Sequence, residues 1–504
     1  MITSALNFPV WDLGGINGGL LIAAVAVIHV FVSQFAVGGG FFLLMAERKG
    51  HREASAPILK WVHRHTRFFL LLTMVFGSLT GVGIWLSISL VTPPGTSLLV
   101  REFVYAWAAE WVFFLGEIVA LLLYAASFAR CREGRMAPRD HMTLGLAYCL
   151  FAFLSLFIIN GIISFMLTPG EWVHNGSFWS ALFNPSFWPS LLFRFGLALT
   201  LAGMFGLITA TAITDAETRE DMIRFCAQWI CLPFVLLVLG MIWYANVLPE
   251  AVQESMHRRT SDIRPFIRSF LDSAPLLFLA GMFLFIRMPK KAYRPYIAVV
   301  LLLGLSVAGS FEWIRETARR PWLVYGYMYS NGITLADGEK INAQGIFAAS
   351  GWARLRALGT PAPAGHPQDE AGQSQGEAGQ SQAGGQAQGE TGQVQGEAGQ
   401  AGSSQVSSGR EASARPRTDP PTLIALKPEE RDRFARFIYT QQCSSCHGLG
   451  APMLDLVPRV SGRGETGVAA LLAAQGTISP YMPPFFGTEE ERLLFARWLA
   501  GLKE

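Results

Sequence analysis

Charge is scarce in this sequence. Only 15% of its 504 residues are Asp, Glu, Lys or Arg, and the formal net charge is +3. A balance so near zero gives no argument for nucleic acid or any other charged partner. Cysteine is scarcer still, with six in all. Cys131 sits in a basic stretch, while Cys149, Cys226 and Cys231 lie in apolar runs, so no disulfide scaffold can be read from them. Only Cys443 and Cys446 have an informative spacing. A removable signal peptide is not expected either. The first apolar run begins near Gly18, is longer than a signal core, lacks a small-residue cleavage site and ends in ERKGHR.

Apolar side chains are abundant: 51% of the residues are hydrophobic, and the mean hydropathy is +0.33. Such a composition fits a polytopic membrane protein with polar appendages. Apolar segments long enough to cross a bilayer, about 20 residues each, run roughly over 18–46, 67–92, 101–129, 142–168, 186–213, 224–247, 267–287 and 294–316. The loops after the first, third and seventh are basic: ERKGHREASAPILKWVHRHTR, RCREGRMAPRD and RMPKKAYRPY. The positive-inside rule makes these connections cytoplasmic, so the N-terminus faces outward. An even number of spans returns the C-terminus to that outer side. HRR at 257–259 is the one contrary sign. The fold expected for residues 1–330 is an all-α bundle of about eight spans, and 331–358 follows as an outer segment.

From 359 to 421 the composition collapses into a Gln/Gly/Ala/Glu repeat without apolar periodicity, which predicts a disordered tether. Residues 422–504 form the last unit. LKPEERDRFARFIYTQQCSSCH reads as an amphipathic helix running into C-x-x-C-H, the attachment signature of a c-type haem. Cys443 and Cys446 would form the thioethers, and His447 would supply an iron ligand. ISPYMPPF then offers Met482 as the second axial ligand, ahead of the closing amphipathic helix EEERLLFARWLAGL. Met453 is the rival, but it follows His447 too closely to reach the opposite haem face easily. These features resemble a small class I cytochrome c. The covalent haem is attached outside the cytoplasmic membrane, which agrees with the side that the charge rule assigns to this unit.

Polar residues inside the apolar runs are costly and mark function by default. Of nine histidines only His29 lies deep in such a run, LIAAVAVIHVFVSQFAVGGGFFLLM. It is either bonded to a neighbouring helix or an axial haem ligand. Gly38 to Gly40 beyond it would admit a flat macrocycle or a close helix neighbour. In AWAAEWVFFLGEIVALLLY, Glu110 and Glu117 are two turns apart on one helix face. They read as satisfied structural carboxylates, or as haem-site and proton-relay groups. Arg194 sits inside the fifth run and either snorkels outward, pairs with a haem propionate or pairs with a glutamate.

The eighth run ends SFEWIRETARRPWLVYGYM. Its E-x-x-R-x-P-W resembles the signature of subunit I of the cytochrome bd oxidase family, and AEWVFFLGE, FIINGIISFMLTPG and FNPSFWPSLLFRFGLALTLAGMF resemble other parts of that subunit, over residues 15–330. The resemblance implies that His29 is the axial ligand of the oxygen-reducing haem and Glu316 the ligand of a neighbouring high-spin haem b. It implies that Glu110 and Glu117 serve that di-haem site in proton delivery or ligation, and that Arg319 and Trp322 contact propionates. Two non-covalent haems, b and/or d, and a second membrane subunit are implied too, in a bacterial inner membrane. Three departures bear on function. Where the family has the His ligand of its low-spin haem, soon after Asn-Pro, this chain has Phe193, and the partner Met is missing from RPFIRSFLDSAP. The quinol-binding loop is reduced to NVLPEAVQESMHRRTSD. Ala318 and Arg320 depart from the signature itself. The chain therefore looks like a quinol-independent, bd-like branch, in which electrons from a soluble cytochrome c or other periplasmic donor enter through haem c and reduce dioxygen or nitric oxide. The alternative is a conduit delivering electrons to haem c without oxygen chemistry.

Overall fold

The computed structural model describes residues 5–13, 16–257, 263–287, 293–359, 422–451, 454–479 and 481–502. The tether from 360 to 421, Met453 and the Arg258–Arg259 pair lie outside the described residues. Among the described residues eight helical spans are long and apolar enough to cross a membrane, and each overlaps one of the runs read from the sequence. The chain is a multi-pass membrane protein.

Helix α1 (Gly18–Arg52) starts where the Asn17 side chain accepts from Leu20 N at 2.7 Å, an N-cap for otherwise unpaired donors. It does not stop at the basic stretch but runs on to Arg52, and Ala54 then turns the chain with φ 48°. Ser55 caps α2 (Ala56–Leu71), with Pro57 in its first turn. A π-helical segment, Leu72–Gly77, joins α2 to α3 (Ser78–Val91), so the three make one span. Next come α4 (Pro93–Glu102), α5 (Val104–Arg132) and α6 (Pro138–Phe165), followed by the short connecting helices α7 (Trp172–Asn175) and α8 (Phe178–Leu182). Helix α9 (Phe187–Ala210) is the axle of the bundle: 78% of its apolar window is buried, against 22% for α1. The glycine run of α1 explains how they meet. A Cβ on Gly38 would lie 1.9 Å from Ala198 O of α9, so only glycine lets the two backbones touch. A Cβ on Gly39 would stand 2.3 Å from the Phe69 ring, and one on Gly40 2.4 Å from the Tyr148 ring. Of the two readings of that run, the structure shows helix packing.

Helices α10 (Ala216–Cys231) and α11 (Phe234–Val247) form one span broken at Pro233, and α12 (Glu250–His257) leads to α13 (Arg264–Ile286) and α14 (Tyr293–Arg319). A hairpin of β1 (Trp322–Val324) and β2 (Met328–Tyr329) follows. Then come α15 (Leu335–Gln344), α16 (Ile346–Ala349) and α17 (Gly351–Leu358). The C-terminal unit contains α18 (Pro428–Gln442), α19 (Val457–Val460), α20 (Gly464–Ala473) and α21 (Glu489–Ala500).

There is a second apolar core outside the bundle. Phe434, Ile438 and Phe495 of the C-terminal unit share it with Leu6, Ile341, Ile346, Phe347 and Ala353. Residues 331–358 and the N-terminal 3-10 turn, Ala5–Asn7, are thus built into that unit. Buried Glu491 fastens the junction: its carboxylate accepts from Ile346 N at 2.9 Å and Phe347 N at 2.8 Å while it also closes the capping box of α21. The C-terminal unit therefore sits at the end of the bundle where α1 begins, opposite the basic loops.

Candidate functional site

In the C-terminal unit, α18 ends at Cys443, and the chain turns through Cys446 to His447. Tyr439 OH donates to His447 O at 2.9 Å, closing the loop on its own helix. His447 Nδ1 is 2.9 Å from Leu454 O. A carbonyl only accepts, so Nδ1 carries the hydrogen and Nε2 keeps its lone pair, the state that binds iron. Burial pushes the Cys443 thiol up to about 12, and the neighbouring Cys446 adds to it. The side chain is therefore a neutral thiol, suited to a thioether rather than to holding a charge. Burial also lowers His447, which keeps the imidazole neutral, although the Leu454 contact opposes it. Gln442 clamps the Met482 segment by bonding Phe486 twice, Nε2 to O at 2.7 Å and N to Oε1 at 3.0 Å. These residues fit a covalent haem. Among the described residues no three His, Cys, Asp or Glu side chains converge as a bare metal ion would need.

This loop is seated on the bundle. Gly18 N donates to Ser444 O at 3.2 Å and Gly19 N to Ser445 O at 2.8 Å. The two residues between the cysteines thus accept from the first, otherwise unpaired amides of α1. Gln441 Nε2 donates to Phe8 O at 3.0 Å, and Arg436 pairs with Asp12 at 3.2 Å. From Phe486 an aromatic series leads to the bundle: Tyr329 at 5.4 Å, then Trp322 stacked on Tyr329 at 4.2 Å.

Further down α1, His29 Nδ1 lies 3.1 Å from Thr80 Oγ1, whose hydroxyl donates to Phe76 O at 2.7 Å. With that hydrogen committed, Thr80 accepts from Nδ1–H, and Nε2 of His29 keeps its lone pair. Gly81 lies against the ring, since a Cβ there would stand 3.2 Å from Cε1. On α14 the Glu316 carboxylate is held by both oxygens to Arg319 Nη2 at 2.5 Å, yet its side chain stays 41% accessible. Arg319 Nη1 also donates to Leu323 O at 2.7 Å. The guanidinium expected on a propionate is thus already bound to the carboxylate expected on iron. His29 fits an iron ligand as it stands; Glu316 fits one if a carboxylate oxygen turns from Arg319.

Glu110 and Glu117 do share a face of α5, and α6 answers both. Ser155 Oγ donates to Glu110 Oε1 at 2.9 Å, and Tyr148 OH lies 3.0 Å from Glu117 Oε1. Arg194 is buried and neither snorkels nor meets these glutamates. Its Nη1 stands 2.7 Å from Glu312 Oε1, and Arg315 Nε donates to Glu312 Oε2 at 3.1 Å. Phe193 beside it is fully buried and stacks on Phe311 at 4.0 Å.

Sequence reading missed several buried polar residues. Glu312 and the partly accessible Arg315 precede the signature glutamate on α14. Glu47, His141 and Tyr124 form a buried cluster at the basic end of the bundle, and His65 bonds Thr209 Oγ1 at 2.8 Å. The signal available for Glu312 was Arg194 itself, a lone cation in an apolar run that needs an anion.

No protein-family profile matches the chain, and no curated protein does. A solved structure does match: the bd oxidase from Geobacillus thermodenitrificans, with TM-score 0.54 and 15% identity, covering 64% of this chain and 92% of that one. The bundle has the fold of that protein.

Proposed function

We propose that this protein is a membrane haem oxidoreductase that takes electrons through a haem c on its C-terminal unit and reduces dioxygen within the bundle. Cys443, Cys446, His447 and Met482 would hold haem c, and His29 and Glu316 would hold two non-covalent haems, of b and/or d type. Bound there, those groups supply single-electron transfer and the binding and reduction of a small diatomic molecule.

One observation carries the reading: the C-x-x-C-H loop is docked on the first amides of the helix that bears His29. Gly19 and His29 are ten residues apart on that helix, about 15 Å along its axis. The electron source and the ligand of the reducing site are thus fixed on one rigid rod, and neither has to diffuse. The packing around Phe193 supports the same direction of flow. Phe193 stands where the resemblance puts the low-spin haem ligand, and it is stacked into the core beside a neutralised Arg194. An electron entrance from quinol has no haem ligand there.

Each dioxygen takes four electrons and four protons to give two waters. Electrons arrive singly from a periplasmic donor such as a soluble cytochrome c, and protons reach Glu110 and Glu117 from the opposite face. Thr80 orients His29, and Arg319 holds Glu316 while neutralising its charge. The orientation is that of the charge rule, with both termini periplasmic in a bacterial inner membrane. A second membrane subunit of the bd oxidase kind is the expected neighbour.

Reduced membranes treated with carbon monoxide test this. A ligand-binding high-spin haem, together with oxygen consumption driven by reduced cytochrome c, is expected. Six-coordinate haems without carbon monoxide binding would favour the conduit, and thioether-linked porphyrin alone would end both readings.

A further inference from the structure

We propose that Glu47 and His141 are the proton-loading pair at the cytoplasmic mouth of a ladder of hydrogen-bonded side chains climbing between α5 and α6 to Glu110; this rests on the oxidoreductase reading above.

Glu110, Glu117 and Tyr124 follow one another at seven-residue steps along α5, and Ser155, Tyr148 and His141 do so in reverse along α6. Seven residues is close to two turns, so each set lines one face. Because α5 and α6 are antiparallel, the sets meet rung by rung. Ser155 meets Glu110 at 2.9 Å, Tyr148 meets Glu117 at 3.0 Å, and the Tyr124 and His141 rings lie 4.5 Å apart. Helix α1 threads the last rung with Glu47. Its Oε2 accepts from Tyr124 OH at 2.7 Å, and its Oε1 lies 2.6 Å from His141 Nδ1.

Counting hydrogens shows what this rung stores. His141 Nε2 is 3.1 Å from Tyr124 O, a carbonyl, so Nε2 must carry a hydrogen. The short Nδ1–Oε1 contact then needs one more, sitting on either the imidazole or the carboxylate. The pair shares one transferable proton. Tyr148 has the complementary problem: a single hydroxyl hydrogen faces both Ala36 O at 2.8 Å and Glu117 Oε1 at 3.0 Å. A proton on Glu117 satisfies both contacts. Gly40 permits that reach, since a Cβ there would stand 2.4 Å from the Tyr148 ring.

A purely structural cluster does not account for the arrangement. Glu47 is 1% exposed and His141 fully buried, and a well-packed apolar trio is commonly at least as stable as a buried ionic one. The cluster also has an outlet. His51 Nε2 is 3.4 Å from Glu47 Oε1, and its side chain is 27% accessible. The other titratable and charged groups nearby are His63 and Arg67 on the α2 side, Cys131 and Arg132 on α5 and Cys149 on α6. Successive rungs are about 10 Å apart, so bound water must complete each step. Protons alone move; no group is oxidised or reduced.

The test uses the full-length protein in proteoliposomes, comparing wild type with Glu47→Gln and Tyr124→Phe. Haem content, carbon monoxide spectrum and electron equilibration from haem c without oxygen should be unchanged. Oxygen turnover should fall about a hundredfold in Glu47→Gln, the scale of a lost proton-transfer group, with a larger solvent deuterium effect and with partial rescue in Glu47→Asp. Wild-type protein that reduces no oxygen would defeat the function reading itself. Active wild type beside a fully loaded Glu47→Gln of equal rate and isotope effect would defeat the ladder alone. Should Glu47→Gln fail to assemble, Tyr124→Phe decides: a slowed, isotope-sensitive turnover supports the ladder and a wild-type rate overturns it.

Discussion

Arg194 and Glu312 stand 2.7 Å apart inside the membrane-spanning bundle, and Arg315 donates to the same carboxylate at 3.1 Å. One carboxylate thus faces two cations, Arg194 fully buried and Arg315 partly accessible. Removing it leaves both guanidiniums facing each other in a medium that screens poorly, whereas removing Arg194 leaves a neutral Glu312–Arg315 pair.

Glu312→Gln should therefore be the more damaging change, costing about 3–5 kcal/mol as a broken buried pair does. Arg194→Leu should cost clearly less. Thermal unfolding of the two variants in detergent gives the ranking. Equal melting temperatures would mean that Glu312 does not compensate both charges.

His29→Ala should remove one non-covalent haem and leave the thioether-linked spectrum intact. Thr80→Val keeps the ring but deletes the acceptor for Nδ1–H; loss of such an orienting partner typically weakens ligation about 10- to 100-fold. Pyridine haemochrome assays resolve the two porphyrin types. Full haem content in His29→Ala would refute the ligand assignment.

For haem c, Met482→Ala should lower the reduction potential and open the sixth coordination position, because a thioether ligand favours the reduced iron. Redox titration and carbon monoxide binding to the isolated c-type band follow both effects. An unchanged band would transfer the ligand role to Met453.

Much of this architecture is legible in the sequence because lipid imposes simple demands. Every span must be long and apolar, so eight could be counted, and Glu110 and Glu117 announced a polar face by their spacing. Their partners did not announce themselves. Tyr148 and Ser155 become a ladder only when α5 and α6 are set in antiparallel register, a tertiary fact. Glu47 was hidden differently. It lies in ERKGHR, which reads as a basic loop, yet α1 continues past it to Arg52 and buries it. The segment 331–358 read only as an outer segment because its apolar residues, though half of the total, carry no motif and are too short a run to span. They are spent on one core with Phe434 and Phe495, which no local pattern reveals.

The seat of the C-terminal unit on α1 yields the last prediction. A Cβ at Gly19 would stand 2.9 Å from Ser445 O, closer than real Cβ contacts come, and that atom is backbone and cannot swing aside. Gly19→Val adds two methyls to the same clash and should lift the C-x-x-C-H loop from the helix end. His29 is ten residues away, and the haem c ligands lie within their own unit, so both sites should load normally. The deficit should appear only between them. Flash-induced electron transfer from haem c into the bundle should slow about tenfold or more in Gly19→Val, the effect of a misplacement of about 1 Å or greater. Oxygen consumption driven by a small reductant that reaches the bundle directly should be spared. If Gly19→Val transfers electrons at the wild-type rate with the loop displaced, the docked geometry is not the one that conducts.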